Sequence, residues 1–115
     1  MLLKNIKKVA VIGVGYVGLP ITVELAKNNK FEIIGFDSNK NRVDELNNGL
    51  DVNNEINVNR GDFKGELIFT SNDTYLENSN IFIVTVPTPI DSTNKPDLTA
   101  LTNAAKTIGQ SLLKT

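Results

Sequence analysis

The chain has 115 residues, 40% of them hydrophobic, and a formal net charge of −1. That allows one domain with a modest core, and its scattered Lys and Arg give no electrostatic footprint for nucleic acid. Cysteine and histidine are both absent, which excludes disulfides, thiolate metal ligands and a cysteine nucleophile within this stretch and leaves little basis for a zinc site. No apolar run approaches the roughly 18–20 residues that span a bilayer, and no signal-peptide pattern opens the chain, so a cytoplasmic location is expected.

A polar lead-in gives way to Lys8–Ile12, a β-branched-rich run without polar alternation, as in a parallel strand covered on both faces. It ends at Gly13, and a helical pattern (Val17, Ile21, Leu25, Ala26) follows over about Tyr16 to Asn29, with Pro20 in the first turn, where its missing N–H does no harm. Between strand and helix, Gly13, Gly15 and Gly18 fall at the G-x-G-x-x-G spacing. In that motif the first glycine makes the tight turn, the second lets a pyrophosphate approach bare backbone, and the third lets the helix pack closely on the strand. The helix directs free N–H groups and the positive end of its dipole at whatever occupies the turn.

Phe31–Phe36 is the second strand, and it ends in Asp37. An acid about 20 residues beyond the glycines, at the tip of the second strand, is placed to accept hydrogen bonds from an adenosine ribose. A carboxylate there also repels a 2′-phosphate, which favours NAD over NADP. The alternative for Asp37 is a structural one, as part of the cap of the next helix. Ser38 is the expected N-cap of that helix, roughly Asn39 to Asn48, with Val43 and Leu46 inward and Gly49 ending it. The Asn-rich stretch Asp51–Gly65 reads as loop with one short helical turn.

Glu66–Thr70 is a third strand, and Ser71 or Asn72 caps a brief helix through Tyr75 to Asn78. The fourth strand, Asn80 to Val86, is a continuous apolar run that reads as central and parallel. A loop with Pro87, Pro89 and Pro96 follows it. Asp97 then caps a last helix in which Leu98, Leu101, Ala105, Ile108 and Leu112 form the apolar stripe. Asp91 and Asp97 read as an Asx turn and a helix cap rather than as an acid pair. This order predicts an α/β fold, a Rossmann-like partial doubly wound parallel sheet with strand order 3-2-1-4 flanked by helices. A full dinucleotide domain has six strands, so residues 1–115 are expected to be the N-terminal part of an NAD-binding domain, without a substrate domain. Lacking a fifth strand, the outer edge of strand four is expected to recruit another strand.

Three motifs together resemble the UDP-glucose/GDP-mannose dehydrogenase family, which oxidises the C6 alcohol of sugar nucleotides. They are Gly13-Val-Gly-Tyr-Val-Gly-Leu-Pro20, Asp37 with Arg42, and Thr85-Val-Pro-Thr-Pro-Ile-Asp91 with Lys95-Pro-Asp-Leu98. The resemblance covers essentially the whole chain but only about the first quarter of such an enzyme. The Val-Pro-Thr-Pro-Ile-Asp form resembles the branch that oxidises UDP-N-acetylhexosamines. The resemblance implies that Gly13, Val14, Gly15, Tyr16, Val17 and Gly18 line the pyrophosphate and Asp37 takes the ribose hydroxyls. Arg42 would lie along the adenosine, although its helix position also suits a solvated charge, and Thr88 would sit near the cofactor. It further implies NAD as cofactor, a UDP-sugar substrate, a homo-oligomeric enzyme and a role in surface-polysaccharide precursor synthesis. The family's nucleophile is a cysteine that holds the aldehyde-level intermediate, and this chain has none, so the chain alone is expected to be non-catalytic. Two other readings stay open at this point: a non-catalytic NAD-sensing module, and a Rossmann dehydrogenase acting on hydroxy acids.

Overall fold

Residues 6–48 and 63–114 are described by a computed structural model. Within them the elements run β1 (Lys8–Ile12), α1 (Gly18–Asn28), β2 (Glu32–Phe36), α2 (Lys40–Asn47), β3 (Glu66–Thr70), a 3₁₀ turn (Asp73–Leu76), β4 (Ile81–Val84) and α3 (Thr99–Leu113). All pairings in the sheet are parallel and its order is β3-β2-β1-β4, as the sequence predicts. Strand order therefore reverses at β1, which has β2 on one side (Val9 beside Ile33) and β4 on the other (Val9 beside Ile81).

Alternation along the strands divides the core into two layers. Val9, Ile33, Leu67 and Phe69 face α1 and α2, meeting Leu19, Val23, Val43 and Leu46. Ala10, Ile12, Ile34 and Phe36 face the other way, onto Leu76 of the 3₁₀ turn and onto Ala104 and Ile108 of α3. Both faces of β1 and β2 are thus covered, which explains why their sequences carry no polar alternation. Gly35 lies where the ring of Phe69 and a methyl of Val14 close over β2, and a Cβ there would stand 2.7 Å from Phe69 Cδ1.

The ladder continues past the strand ends. Gly13 N–H donates to the Phe36 carbonyl (2.7 Å), Asp37 N–H to that of Thr70 (3.1 Å), and Thr85 N–H to that of Ile12 (2.9 Å). The carboxyl-terminal tips of all four strands are therefore fixed to one another, and an open α/β sheet binds ligands along that rim.

Several expectations shift by a residue or two, for local reasons. The α1 helix begins at Gly18, since Val17 is its N-cap position. Asn39, not Ser38, caps α2: its Oδ1 accepts from Asn41 N–H (3.0 Å) and Arg42 N–H (3.3 Å). The chain cannot turn helical at Ser38 because Asp37 Oδ1 already draws in the Asn39 N–H at 2.9 Å. Asn72 caps the 3₁₀ turn, accepting from Thr74 N–H (3.1 Å). Leu98 is the N-cap position of α3, yet the Asp97 carboxylate still accepts the Thr99 N–H (3.0 Å). Gly49 and residues 51–62 of the Asn-rich stretch lie outside the described residues.

Among the described residues β4 closes the β1 side of the sheet, as the order 3-2-1-4 requires, and Ile81 (37%) and Val84 (39%) are exposed. One correction is larger. The apolar stripe foreseen for α3 fails, because Leu98, Leu101 and Leu112 are exposed while Ala104 and Ser111 are buried and Ile108 is half-buried. The small Ala104 lets the helix approach Ile12 and Phe36 closely, and the sheet takes that side of α3 instead.

Candidate functional site

Gly13 carries the turn out of β1 at φ +97°, the left-handed region that glycine enters without steric penalty. A Cβ at Gly13 would lie 3.2 Å from the Thr85 carbonyl, and one at Gly18 would collide with the Gly13 carbonyl oxygen. These two glycines are demanded by the protein's own packing. Gly15 is not: a Cβ there would meet nothing within 4 Å, since it would project into open space. The chain leaves that space beside the uncapped start of α1. Among the described residues no acceptor is found for the N–H groups of Gly15, Tyr16 and Val17, an arrangement suited to anionic oxygens.

The Val14 peptide, in the middle of the turn, is held from both sides. Its N–H donates to Asp37 Oδ2 (3.1 Å), and its carbonyl accepts from Arg42 Nε (2.9 Å). Arg42 is also ion-paired with Glu45 (3.5 Å) and its side chain is only 13% exposed, so it is a half-buried brace rather than a solvated charge. With one hydrogen bond on each oxygen, the Asp37 carboxylate keeps further lone pairs with which to accept from ribose hydroxyls.

On the opposite side, Thr85 Oγ1 donates to the Gly13 carbonyl (2.6 Å) and stands 3.3 Å from that of Ile12, pinning the tip of β4 to the turn. Beyond it the Pro87–Pro89 segment turns along the rim. Asp91 then closes the loop, accepting from Thr93 Oγ1 (2.7 Å), Thr93 N–H (2.8 Å) and Lys95 N–H (3.0 Å). The Thr93 hydroxyl, then the Lys95 and Thr93 N–H groups, hold its carboxyl below the usual range, and the Thr99 hydroxyl and N–H do the same for Asp97. Each of these acids is committed to local structure, as the sequence suggests.

A crevice of about 910 Å³ joins these features. Gly13, Gly15, Tyr16, Val17, Asp37, Arg42 and Thr88 all line it, so most of the sequence-derived site residues converge. Val14 and Gly18 do not line it; each acts through the turn, Val14 as the braced peptide and Gly18 as the close-packed helix start. Tyr16 stands at the mouth, 70% exposed. Sequence reasoning missed Thr85 as a turn anchor, Asn39 as a crevice-lining cap, and the crevice face of α3 (Thr99, Ala100, Asn103, Ala104, Thr107). Thr85 had left a signal, as a hydroxyl among aliphatic strand residues. The α3 residues had left none, because their small and polar side chains carry no apolar periodicity. Among the described residues no cluster of acids could hold a metal ion, and no helix is long and apolar enough to cross a membrane.

An open parallel sheet with a glycine turn where strand order reverses, and an acid at the tip of β2, is the framework of a dinucleotide-binding domain. The chain belongs to the UDP-glucose/GDP-mannose dehydrogenase family, whose NAD binding domain matches residues 7–115. It is 49% identical over 107 residues to UDP-N-acetyl-D-glucosamine 6-dehydrogenase of Pseudomonas aeruginosa, covering 93% of this chain and 25% of that protein. It is 45% identical over 105 residues to Protein CapL of Staphylococcus aureus, covering 90% of this chain and 24% of that one. In structure it is similar to the UDP-N-acetyl-mannosamine dehydrogenase Cap5O of S. aureus, with a TM-score of 0.75 at 28% identity over 91% of this chain and 26% of that one. The chain therefore spans about a quarter of the length of these relatives.

Proposed function

We propose that this chain is the first part of the NAD-binding domain of a nucleotide-sugar 6-dehydrogenase, and that it holds the adenosine and pyrophosphate of the cofactor. The observation that carries the reading is the pairing of Gly15, whose Cβ position is open space, with Asp37 across one crevice. Gly13 to Gly18 approach the pyrophosphate, with the N–H groups of Gly15, Tyr16 and Val17 directed to its oxygens. Asp37 accepts from the ribose hydroxyls. Arg42 works in part through the turn, by bracing Val14, and Thr88 borders the cofactor from the tip of β4. Bound NAD supplies the hydride acceptor; these residues bind and orient it.

The substrate in this reading is a UDP-N-acetylhexosamine, whose C6 alcohol is oxidised to the uronic acid for surface-polysaccharide precursors. The 49% identity to a UDP-N-acetyl-D-glucosamine 6-dehydrogenase and the Val86-Pro-Thr-Pro-Ile-Asp91 segment support that choice. Chemistry on the sugar needs residues this chain does not carry, a cysteine among them, so the chain by itself is non-catalytic. The parent enzyme is cytoplasmic and homo-oligomeric.

Titration of the isotopically labelled chain with NAD and NADP, followed through backbone amide shifts, tests the reading. NAD is expected to bind at about 0.1–1 mM, equivalent to about 4–5.5 kcal/mol. NADP should bind more weakly: a unit charge pair at 4 Å and an effective dielectric of about 20 is worth roughly 4 kcal/mol, less with water between. Asp37→Ala should narrow the preference and Gly15→Val should abolish binding. An equal response to NADP, or shifts far from Gly13–Gly18 and Asp37, would sink it.

A further inference from the structure

The crevice extends beyond what a pyrophosphate and a ribose occupy. With the pyrophosphate at Gly15 and the ribose at Asp37, the base lies on the far side of the ribose, past the tip of β2. There the crevice runs between the start of α2 and the inner face of α3. On the α3 side its wall is small and apolar, Ala100 and Ala104, next to Phe36. A flat aromatic base fits such a wall.

One row of polar side chains crosses that wall, Thr99, Asn103 and Thr107, spaced four residues apart and so on one face of the helix. Two of the three are spent on the protein itself. Thr99 Oγ1 donates to Asp97 Oδ1 (2.6 Å), and Thr107 Oγ1 donates to the Asn103 backbone carbonyl (3.0 Å). Among the described residues the Asn103 carboxamide has no hydrogen-bond partner, so its donor and its acceptor are both available at the crevice. Arg42, on the opposing wall, is occupied by Val14 and Glu45.

The geometry points to Asn103 as the residue that reads the adenine edge of the dinucleotide, an inference that rests on the proposed NAD site. A carboxamide matches one edge of adenine: Nδ2 donates to N7 while Oδ1 accepts from the 6-amino group, the pairing by which asparagine also reads adenine in nucleic acids. Hypoxanthine presents two acceptors on that edge, N7 and a carbonyl oxygen in place of the amino group, so a carboxamide in either orientation keeps one hydrogen bond and loses the other. Asn103 therefore selects adenine over 6-oxopurines, at a point separate from the selection between NAD and NADP by Asp37.

The test compares NAD with nicotinamide hypoxanthine dinucleotide, on the chain and on Asn103→Ala, by amide-shift titration. Asn103 is exposed, and alanine is a better helix former, so the variant is expected to fold. The chain should bind NAD about 3–10-fold more tightly than the hypoxanthine analogue, the size of one net hydrogen bond. Asn103→Ala should weaken NAD to the level of the analogue and bring the ratio within about twofold of one, with the shifts at Gly15 and Asp37 retained. Equal affinities in the unsubstituted chain, or a preference that survives the substitution, overturn the adenine assignment and leave the NAD site standing. Failure of both dinucleotides to bind overturns the site and the assignment together.

Discussion

The two flanks of β1 are built to different tolerances. Toward β2, each position near the turn answers to a neighbour: Gly18 to the Gly13 carbonyl, Gly35 to Phe69, and the Val14 peptide to both Asp37 and Arg42. Toward β4 and α3, leucines stand in solvent, Gly109 has nothing within 4 Å of a built Cβ, and the loop carrying Pro87, Pro89 and Pro96 is exposed from Pro87 onward. Both flanks line the same crevice. Over-determined packing on one side fixes the phosphate turn, while the looser side leaves room for groups that meet a ligand instead of the protein.

Glycine substitutions give the widest separation of the two flanks. Gly18→Ala drives a methyl into the Gly13 carbonyl and displaces Thr85 Oγ1, so α1 must move off β1, a loss of about 3 kcal/mol or more. Gly109→Ala, within α3, should instead stabilise the chain by up to about 1 kcal/mol. Urea denaturation followed by circular dichroism measures both, and two effects of the same sign would erase the contrast.

Leucines should divide in the same way. Leu19 is fully buried against β1 and β2, and Leu19→Ala is expected to remove about 2–5 kcal/mol. Leu101→Ala, at a residue 41% exposed on α3, should remove less than about 1 kcal/mol. Comparable denaturation midpoints for the two variants would mean that α3 is covered in solution.

Thr85 sharpens the comparison because it belongs to the loose flank yet anchors the tight one. Thr85→Val keeps the shape and loses the 2.6 Å hydrogen bond to Gly13, for about 1 kcal/mol and a local shift of the Gly13 and Gly15 amides. Thr85→Ser should restore both. A valine variant with unchanged amide shifts would remove Thr85 from the description of the turn.

This difference in tolerance also governs how much was legible in the sequence. The extents of β1 and β3 and the glycine turn could be read directly, because burial on both faces and backbone collisions permit few residue types there. The α2 cap was misplaced by one residue because Ser38 and Asn39 are both good caps. What decides between them is the Asp37 carboxylate, which holds the Asn39 N–H. The α3 stripe misled for another reason. Apolar periodicity marks a face that something can cover without saying what covers it, and the sheet accepted the alanine side. Asn103 was invisible because a solitary polar residue on a helix reads as solvated until a crevice is seen beside it.

The order of strands has a consequence in time as well as in space. β1 pairs with β2 at a sequence offset of 24 (Lys8 beside Glu32) but with β4 at an offset of 72 (Val9 beside Ile81). Closing a loop three times as long costs about 1 kcal/mol more in chain entropy, before any difference in burial. The nearer pair also gains α1 between its strands, whereas β4 gains one neighbour and one half-covered helix. The β1–α1–β2 unit should therefore form first and β4 with α3 should dock onto it afterwards. Pulse-labelled hydrogen exchange during refolding should show Val11 and Ile34 amides protected ahead of those of Phe82 and Ala104, and simultaneous protection would count against this order. The crevice then comes into being only at the last step of folding, because one wall arrives with β4.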